Sequence, residues 1–162
     1  MNVIDEAGIL ALATRMQRLS DRMRKDGLLI YKAAGIDFEP KWFPVIYTLH
    51  KRPVLSVVEI AAEIGYAHPS TIGLLKELEK EKLIRSKKDK VDERKRLIQL
   101  TDKGKALIGQ MKPVWEIMIA ATKDLIDTRN NLMKAIIEVE EAFDRQSFLQ
   151  RARSHMTEKQ SR

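Results

Sequence analysis

Apolar residues at Ile9, Leu12, Met16, Leu19 and Met23 are spaced alternately by three and four, which sets them in one narrow stripe along a helix of several turns. A stripe that narrow requires a partner helix. Gly27 interrupts the tract, but Leu28, Leu29, Ile30 and Tyr31 carry it on to Gly35, a suitable C-terminal stop. A second helix is predicted after Pro40, holding Trp42, Phe43, Val45, Ile46 and Leu49 and ending before Pro53. Ser56-Val57-Val58-Glu59 has the S-x-x-E spacing in which the serine caps an early helix N–H and the glutamate reaches back to the cap. It opens a short helix with Ile60, Ala61 and Ile64 on its apolar face. After the turn at Gly65-Tyr66-Ala67, Pro69 suits the first position of a further helix. There Thr71, Leu74, Leu75 and Leu78 share the inward face, while Ser70, Gly73 and Lys76 point outward. Two short helices joined by a tight turn form a helix-turn-helix candidate, a pairing that also occurs as a plain structural corner.

The next tract changes period. Leu83-Ile84-Arg85-Ser86-Lys87-Lys88 and Lys95-Arg96-Leu97-Ile98-Gln99-Leu100 read as two short strands around the polar segment Asp89 to Arg94, a β-hairpin with a charged tip. Thr101 can cap a long helix whose apolar residues fall at Leu107, Met111, Val114, Met118, Ala121 and Leu125, with a kink predicted at Pro113. A last helix from about Asp127 carries Leu132, Ile136, Val139 and Phe143, and the segment 153–162, with nothing to bury, is expected to fray. The fold class is therefore mainly α with one small β-hairpin.

Composition narrows the function. A chain of 162 residues suits one domain, and 44% hydrophobic with 33% charged residues is too apolar for a disordered polymer. No run approaches the roughly 18 uncharged residues of a membrane span. Met1-Asn2-Val3-Ile4-Asp5-Glu6 lacks a basic signal-peptide start, so the cytoplasm is the default expectation. With no cysteine there is no thiolate zinc site, disulfide or thiol redox sensor, and His50, His68 and His155 have no metal-ligand spacing. A G-x-S-x-G elbow, a phosphate-binding glycine loop and a carboxylate dyad on one face are also missing, so neither an enzyme nor a bound cofactor or metal is expected. The 30 Lys and Arg against 23 Asp and Glu leave a formal charge of +7, which favours a polyanionic partner. Residues 82–96 alone carry a net +5. In isolation that cluster reads equally well as a solvated hairpin.

The order of elements and one local motif resemble the MarR (multiple antibiotic resistance regulator) family of winged-helix transcription factors. That family carries D-x-R, five residues, then L-T-x-x-G, and here Asp92-Glu93-Arg94 is followed after five residues by Leu100-Thr101-Asp102-Lys103-Gly104. The segment from Pro69 to Lys80 leading into Leu83-Ile84-Arg85 is similar to the family's recognition helix. Two positions depart: Lys82 stands where a glycine is common, and Gly73 where many members have an arginine. The resemblance implies dimerisation helices at 3–36 and 126–150, a winged helix-turn-helix lobe at 40–101 with its wing at 83–100, and a connecting helix at 101–125. It further implies a homodimer on a palindromic double-stranded DNA operator, in a bacterial or archaeal cytoplasm and associated with the nucleoid.

The DNA-contact residues implied are Ser70, Thr71, Ile72, Gly73 and Lys76 on the recognition helix and Lys88, Lys90, Arg94, Lys95 and Arg96 on the wing. Asp92 is implied as a brace that pairs with a nearby cation and leaves Arg94 free to enter the minor groove. Crowded aromatics admit two readings: core packing, or a pocket for a small aromatic or phenolic effector at Tyr31, Phe38, Trp42, Tyr47 and His50. The expected function is a transcriptional regulator, a repressor released by such a ligand. The alternative is a winged helix used for protein interaction, which an acidic or uncharged wing would favour.

Overall fold

The structure, a computed structural model, describes residues 2–92 and 94–160. It falls into two units, one running through Glu116 and the other from Ile117. In the first unit, helix α1 (Val3–Glu6) and a 3-10 turn (Gly8–Ala11) lead into the long helix α2 (Leu12–Ala33). The end of α2 is a Schellman turn: Gly35, at φ +71°, donates to the Lys32 carbonyl and Ile36 to that of Tyr31. Leu12, Met16, Leu19 and Met23, the striped residues, are exposed along α2.

A 3-10 turn (Pro40–Trp42) precedes α3 (Phe43–Lys51), which is followed by β1 (Leu55–Ser56), α4 (Val57–Ile64) and α5 (His68–Lys80). The box at the start of α4 forms as the spacing requires: Glu59 N donates to Ser56 Oγ at 3.3 Å and Ser56 N to Glu59 Oε2 at 2.7 Å. Strands β2 (Ile84–Lys88) and β3 (Arg96–Leu100) pair antiparallel with Ile84 opposite Leu100 and Lys88 opposite Arg96. β1 adds to the other edge of β3, giving the order β1-β3-β2. Two residues are too few to leave an alternating pattern, so β1 has no sequence signature. The core lies under this sheet and between α3, α4 and α5, where Val45, Ile46, Leu49, Ile60, Leu78, Ile98 and Met111 are sealed from solvent.

Helix α6 (Asp102–Ile126) begins in the first unit, with Pro113 inside it. Its start is fastened to the base of the hairpin. Thr101 Oγ1 caps Gly104 N at 3.1 Å and donates to the Lys82 carbonyl at 2.7 Å, while Thr101 N donates to the Leu83 carbonyl at 3.0 Å. A Cβ at Gly104 would lie 2.2 Å from the Leu83 carbonyl oxygen, so only glycine allows this approach.

In the second unit, α6 continues to Ile126 and is followed by α7 (Leu132–Arg145) and α8 (Phe148–Gln160). None of residues 117–157 is buried. Ile119, Leu125, Val139, Phe143, Phe148 and Leu149 are all exposed. From 153 to 160 the chain is helical rather than irregular, a departure from the tail expected there. The cause is a second reciprocal cap: Gln150 N donates to Ser147 Oγ at 3.2 Å and Ser147 N to Gln150 Oε1 at 2.8 Å, an S-x-x-Q box that starts α8.

Candidate nucleic-acid interface

α5 lies beside the β2-β3 hairpin, and between them runs an open groove of about 830 Å³. Ile72 and Lys76 line one side and Arg94 and Lys95 the other, with Val58 and His68 at the α4 end. Ser70, Gly73 and Lys76 are exposed along one stripe of α5 and Ile72 is half-buried beside them. A Cβ at Gly73 would meet nothing within 4 Å, so packing inside the chain gives no reason for glycine there. Thr71 is a correction to the implied contact set: it is fully buried and its hydroxyl donates to the Ala67 carbonyl at 3.2 Å, as its place among Leu75 and Leu78 dictates.

The hairpin tip is organised by its two described aspartates. Asp89 N donates to the Lys95 carbonyl at 3.0 Å, and Asp89 Oδ1 accepts from Val91 N at 2.8 Å. Asp92 Oδ1 accepts from both Arg94 N and Arg94 Nε at 3.1 Å, while Lys95 N donates to the Asp92 carbonyl at 2.8 Å. The Arg94 guanidinium, with the Arg94 backbone N–H, holds the Asp92 carboxyl below the usual carboxylate range. Here the structure amends the resemblance. Asp92 pairs with Arg94 itself, so the arginine is oriented by its brace and not released by it, although its side chain is 92% exposed. Arg96 is likewise engaged inside the lobe, with the Ser86 hydroxyl and, at 3.5 Å, with Glu79 of α5. Lys88, Lys90 and Lys95 are exposed.

Lys82, the other departure from the family pattern, is the one described non-glycine residue with a positive φ, +59°. It closes α5 as Gly35 closes α2: Lys82 N donates to the Glu79 carbonyl at 2.9 Å and Leu83 N to that of Leu78 at 3.0 Å.

The aromatic candidates separate. Tyr31 and Phe38 are core side chains, 2% and 1% exposed, in edge-to-face contact at 5.0 Å. Burial pushes the Tyr31 phenol above its ordinary value, partly opposed by the bond that Trp115 Nε1 donates to Tyr31 Oη at 2.9 Å. Trp42, half-buried, packs edge-on against Phe38 at 5.8 Å and donates from Nε1 to Glu77 Oε2 at 2.8 Å. Tyr47 stacks on Phe43 at 5.3 Å, and both meet Trp115 at 5.7 Å. Lys51 Nζ stands 5.5 Å over the Tyr47 ring. His50 is held below its ordinary pKa by burial and by Lys112 and Lys51. Phe43 and Trp115 therefore belong with Tyr47 and His50. Trp115 escaped the sequence reading because it is distant in the chain and helical spacing alone does not show which neighbour it meets.

A family model described as MarR family matches residues 36–95, which span the turn before α3, the helix-turn-helix and most of the hairpin. The match to that family covers this central part of the chain. Similar solved structures agree on the fold. BpsR of Bordetella bronchiseptica, described with regulation of its DNA binding by 6-hydroxynicotinic acid, is 22% identical at a TM-score of 0.57, covering 80% of this chain and 98% of its own. The transcriptional repressor CouR, bound to a 23-mer DNA duplex, is 23% identical at 0.63, covering 86% and 96%. The M. tuberculosis transcriptional regulator MOSR, in complex with DNA, is 18% identical at 0.69, covering 82% and 95%. At these identities the likeness is one of fold. Among curated proteins no sequence match is found.

Proposed function

We propose that this chain is a MarR-family, dimeric, sequence-specific DNA-binding transcriptional regulator, a repressor released by a small aromatic or phenolic ligand. The observation that carries the reading is the groove between α5 and the basic hairpin, faced by Ile72 and Lys76 on one wall and by Arg94 and Lys95 on the other. A helix in the major groove and a wing in the adjacent minor groove straddle one sugar-phosphate ridge, which is what such a groove fits. Ser70 and Lys76 take phosphate or base-edge contacts, Ile72 a thymine methyl, and Gly73 lets the helix backbone approach. Lys88, Lys90 and Lys95 supply phosphate neutralisation, and Arg94, oriented by Asp92, enters the minor groove. Arg96 contributes chiefly by fixing the wing to Glu79. The chain carries no catalytic step in this reading and works in the cytoplasm at the nucleoid.

Dimerisation rests on the apolar residues left in water at both ends of the chain: Leu12, Met16, Leu19 and Met23 on α2, and Val139 and Phe143 on α7. The segments 3–36 and 126–150 are assigned to the two-fold interface, 40–101 to DNA and 101–125 to the connection. The effector is assigned to the surface of Phe43, Tyr47 and Trp115, where Lys51 and Lys112 supply positive charge for an aromatic acid. The similar repressor CouR, bound to DNA, and BpsR, whose DNA binding is described as regulated by 6-hydroxynicotinic acid, support the reading.

A gel shift of the full chain on mixed genomic duplexes at low salt tests it. Retarded complexes that weaken as salt rises, with a log–log slope of about −0.9 per phosphate neutralised, are expected. Free duplex at every protein concentration would leave the winged helix as a protein-interaction module.

A further inference from the structure

Glu77 is an anomaly for a DNA-reading helix. It follows Ser70 by seven residues and Gly73 by four, so it continues their stripe on α5 with a negative charge. Next to phosphates such a charge costs affinity unless it does something else. Its carboxylate is held by two groups from the turn before α3: Trp42 Nε1 at 2.8 Å and Lys41 Nζ at 2.7 Å, both on Oε2. Trp42 in turn is the near end of a continuous series of contacts. It meets Phe38 edge-on at 5.8 Å, Phe38 meets Tyr31 at 5.0 Å, and Tyr31 Oη accepts from Trp115 Nε1 at 2.9 Å. Trp115 faces Phe43 and Tyr47 on the surface assigned above to the effector.

We infer that Glu77 is a positioning residue, the latch by which Trp42 and the chain Phe38-Tyr31-Trp115 fix the reading helix relative to the effector surface. The inference rests on the proposed DNA-binding function and deepens it by naming how the two sites communicate. Each link is either a directional hydrogen bond or a close edge-to-face contact, so a rotation of the Trp115 indole is transmitted through packed rings rather than absorbed by solvent. The latch also explains why the reading helix keeps an acid on that stripe: the affinity lost to repulsion is recovered by holding α5 in one orientation. Coupling of this kind is established only when perturbations at its parts fail to add.

The test uses the full chain and a duplex selected from a random library. Glu77→Ala removes a negative charge, so electrostatics alone predicts tighter binding, whereas loss of the latch predicts weaker binding by about tenfold with an unchanged salt slope. Glu77→Gln keeps an oxygen acceptor for Trp42 and should restore affinity to within about twofold. Trp42→Phe keeps the ring against Phe38 but lacks the donor. It should match Glu77→Ala, and the double variant should be no weaker than either single one. Tighter binding by Glu77→Ala, or fold-losses that multiply in the double variant, would overturn the inference. Should the wild-type chain bind no duplex, the DNA reading fails by itself and amide hydrogen exchange decides the latch. Faster exchange along α5 in Glu77→Ala and Trp42→Phe, but not in Glu77→Gln, upholds it, and equal protection in all four proteins overturns it.

Discussion

Replacing Gly104 by alanine tests the joint between the hairpin and α6. The added methyl carbon would sit 2.2 Å from the Leu83 carbonyl oxygen, and that oxygen also accepts from Thr101 N at 3.0 Å. A carbon and an oxygen rest at about 3.3 Å or more, so roughly 1 Å of separation has to be created between two backbone segments. Overpacking of this size costs about 1–3 kcal/mol. Stretching the Thr101 bond removes about 1 kcal/mol more. The better helix propensity of alanine returns about 1 kcal/mol. The net expectation is a loss of about 2 kcal/mol, or about 6 °C in Tm for a chain of this size. Urea unfolding followed by far-ultraviolet circular dichroism reads it directly, with protein concentration held constant because the proposed dimerisation would shift the midpoint. A variant within about 0.5 kcal/mol of the wild type, the ordinary range for surface changes, would refute the close approach as the reason for glycine.

Lys82→Gly should stabilise the chain by about 0.5–1 kcal/mol, since relief of a left-handed lysine outweighs the entropy of glycine; a thermal melt at lower temperature than wild type would contradict it. Asp92→Ala should weaken duplex binding although it removes a negative charge, because Arg94 loses its orientation, and Arg94→Ala should weaken it with little change in Tm; tighter binding by the Asp92 variant in an anisotropy titration would show the aspartate to be an unfavourable surface charge only. His50 has its folded-state pKa below the unfolded value of about 6.5, so the unfolded chain takes up this proton first on acidification and stability falls as pH drops below about 6.5. His50→Gln should remove that part of the slope while leaving the loss at lower pH, where the carboxylates of Asp5, Glu59, Glu77 and Asp92 are protonated, and an unchanged slope between pH 7 and 5 in urea titrations would count against it.

What the sequence made legible was local. The Ser56-Glu59 box, the Gly35 stop and the alternation in the two hairpin strands are effects of residues a few positions apart, and each forms as read. The D-x-R and L-T-x-x-G motif was legible as a resemblance, but its mechanics were not. That Gly104 touches the Leu83 carbonyl, and that the cation paired with Asp92 is Arg94 itself, are facts of three-dimensional approach. Thr71 shows the limit in the other direction: helical spacing already set it on the inward face, and burial agrees with spacing rather than with its place in a recognition helix. The Ser147-Gln150 box obeys the same S-x-x-E/Q spacing rule as the first and was equally legible. The Trp42-Glu77 bond, between residues 35 apart, left no sequence signal at all.

Binding-site selection with the full chain against a random duplex library tests the central claim most directly. The account predicts enrichment of one sequence with two-fold symmetry, its half-sites centred about one helical turn apart, in complexes that dissolve as salt is raised. Recovered duplexes no different from the starting library, in either sequence or salt dependence, would contradict it.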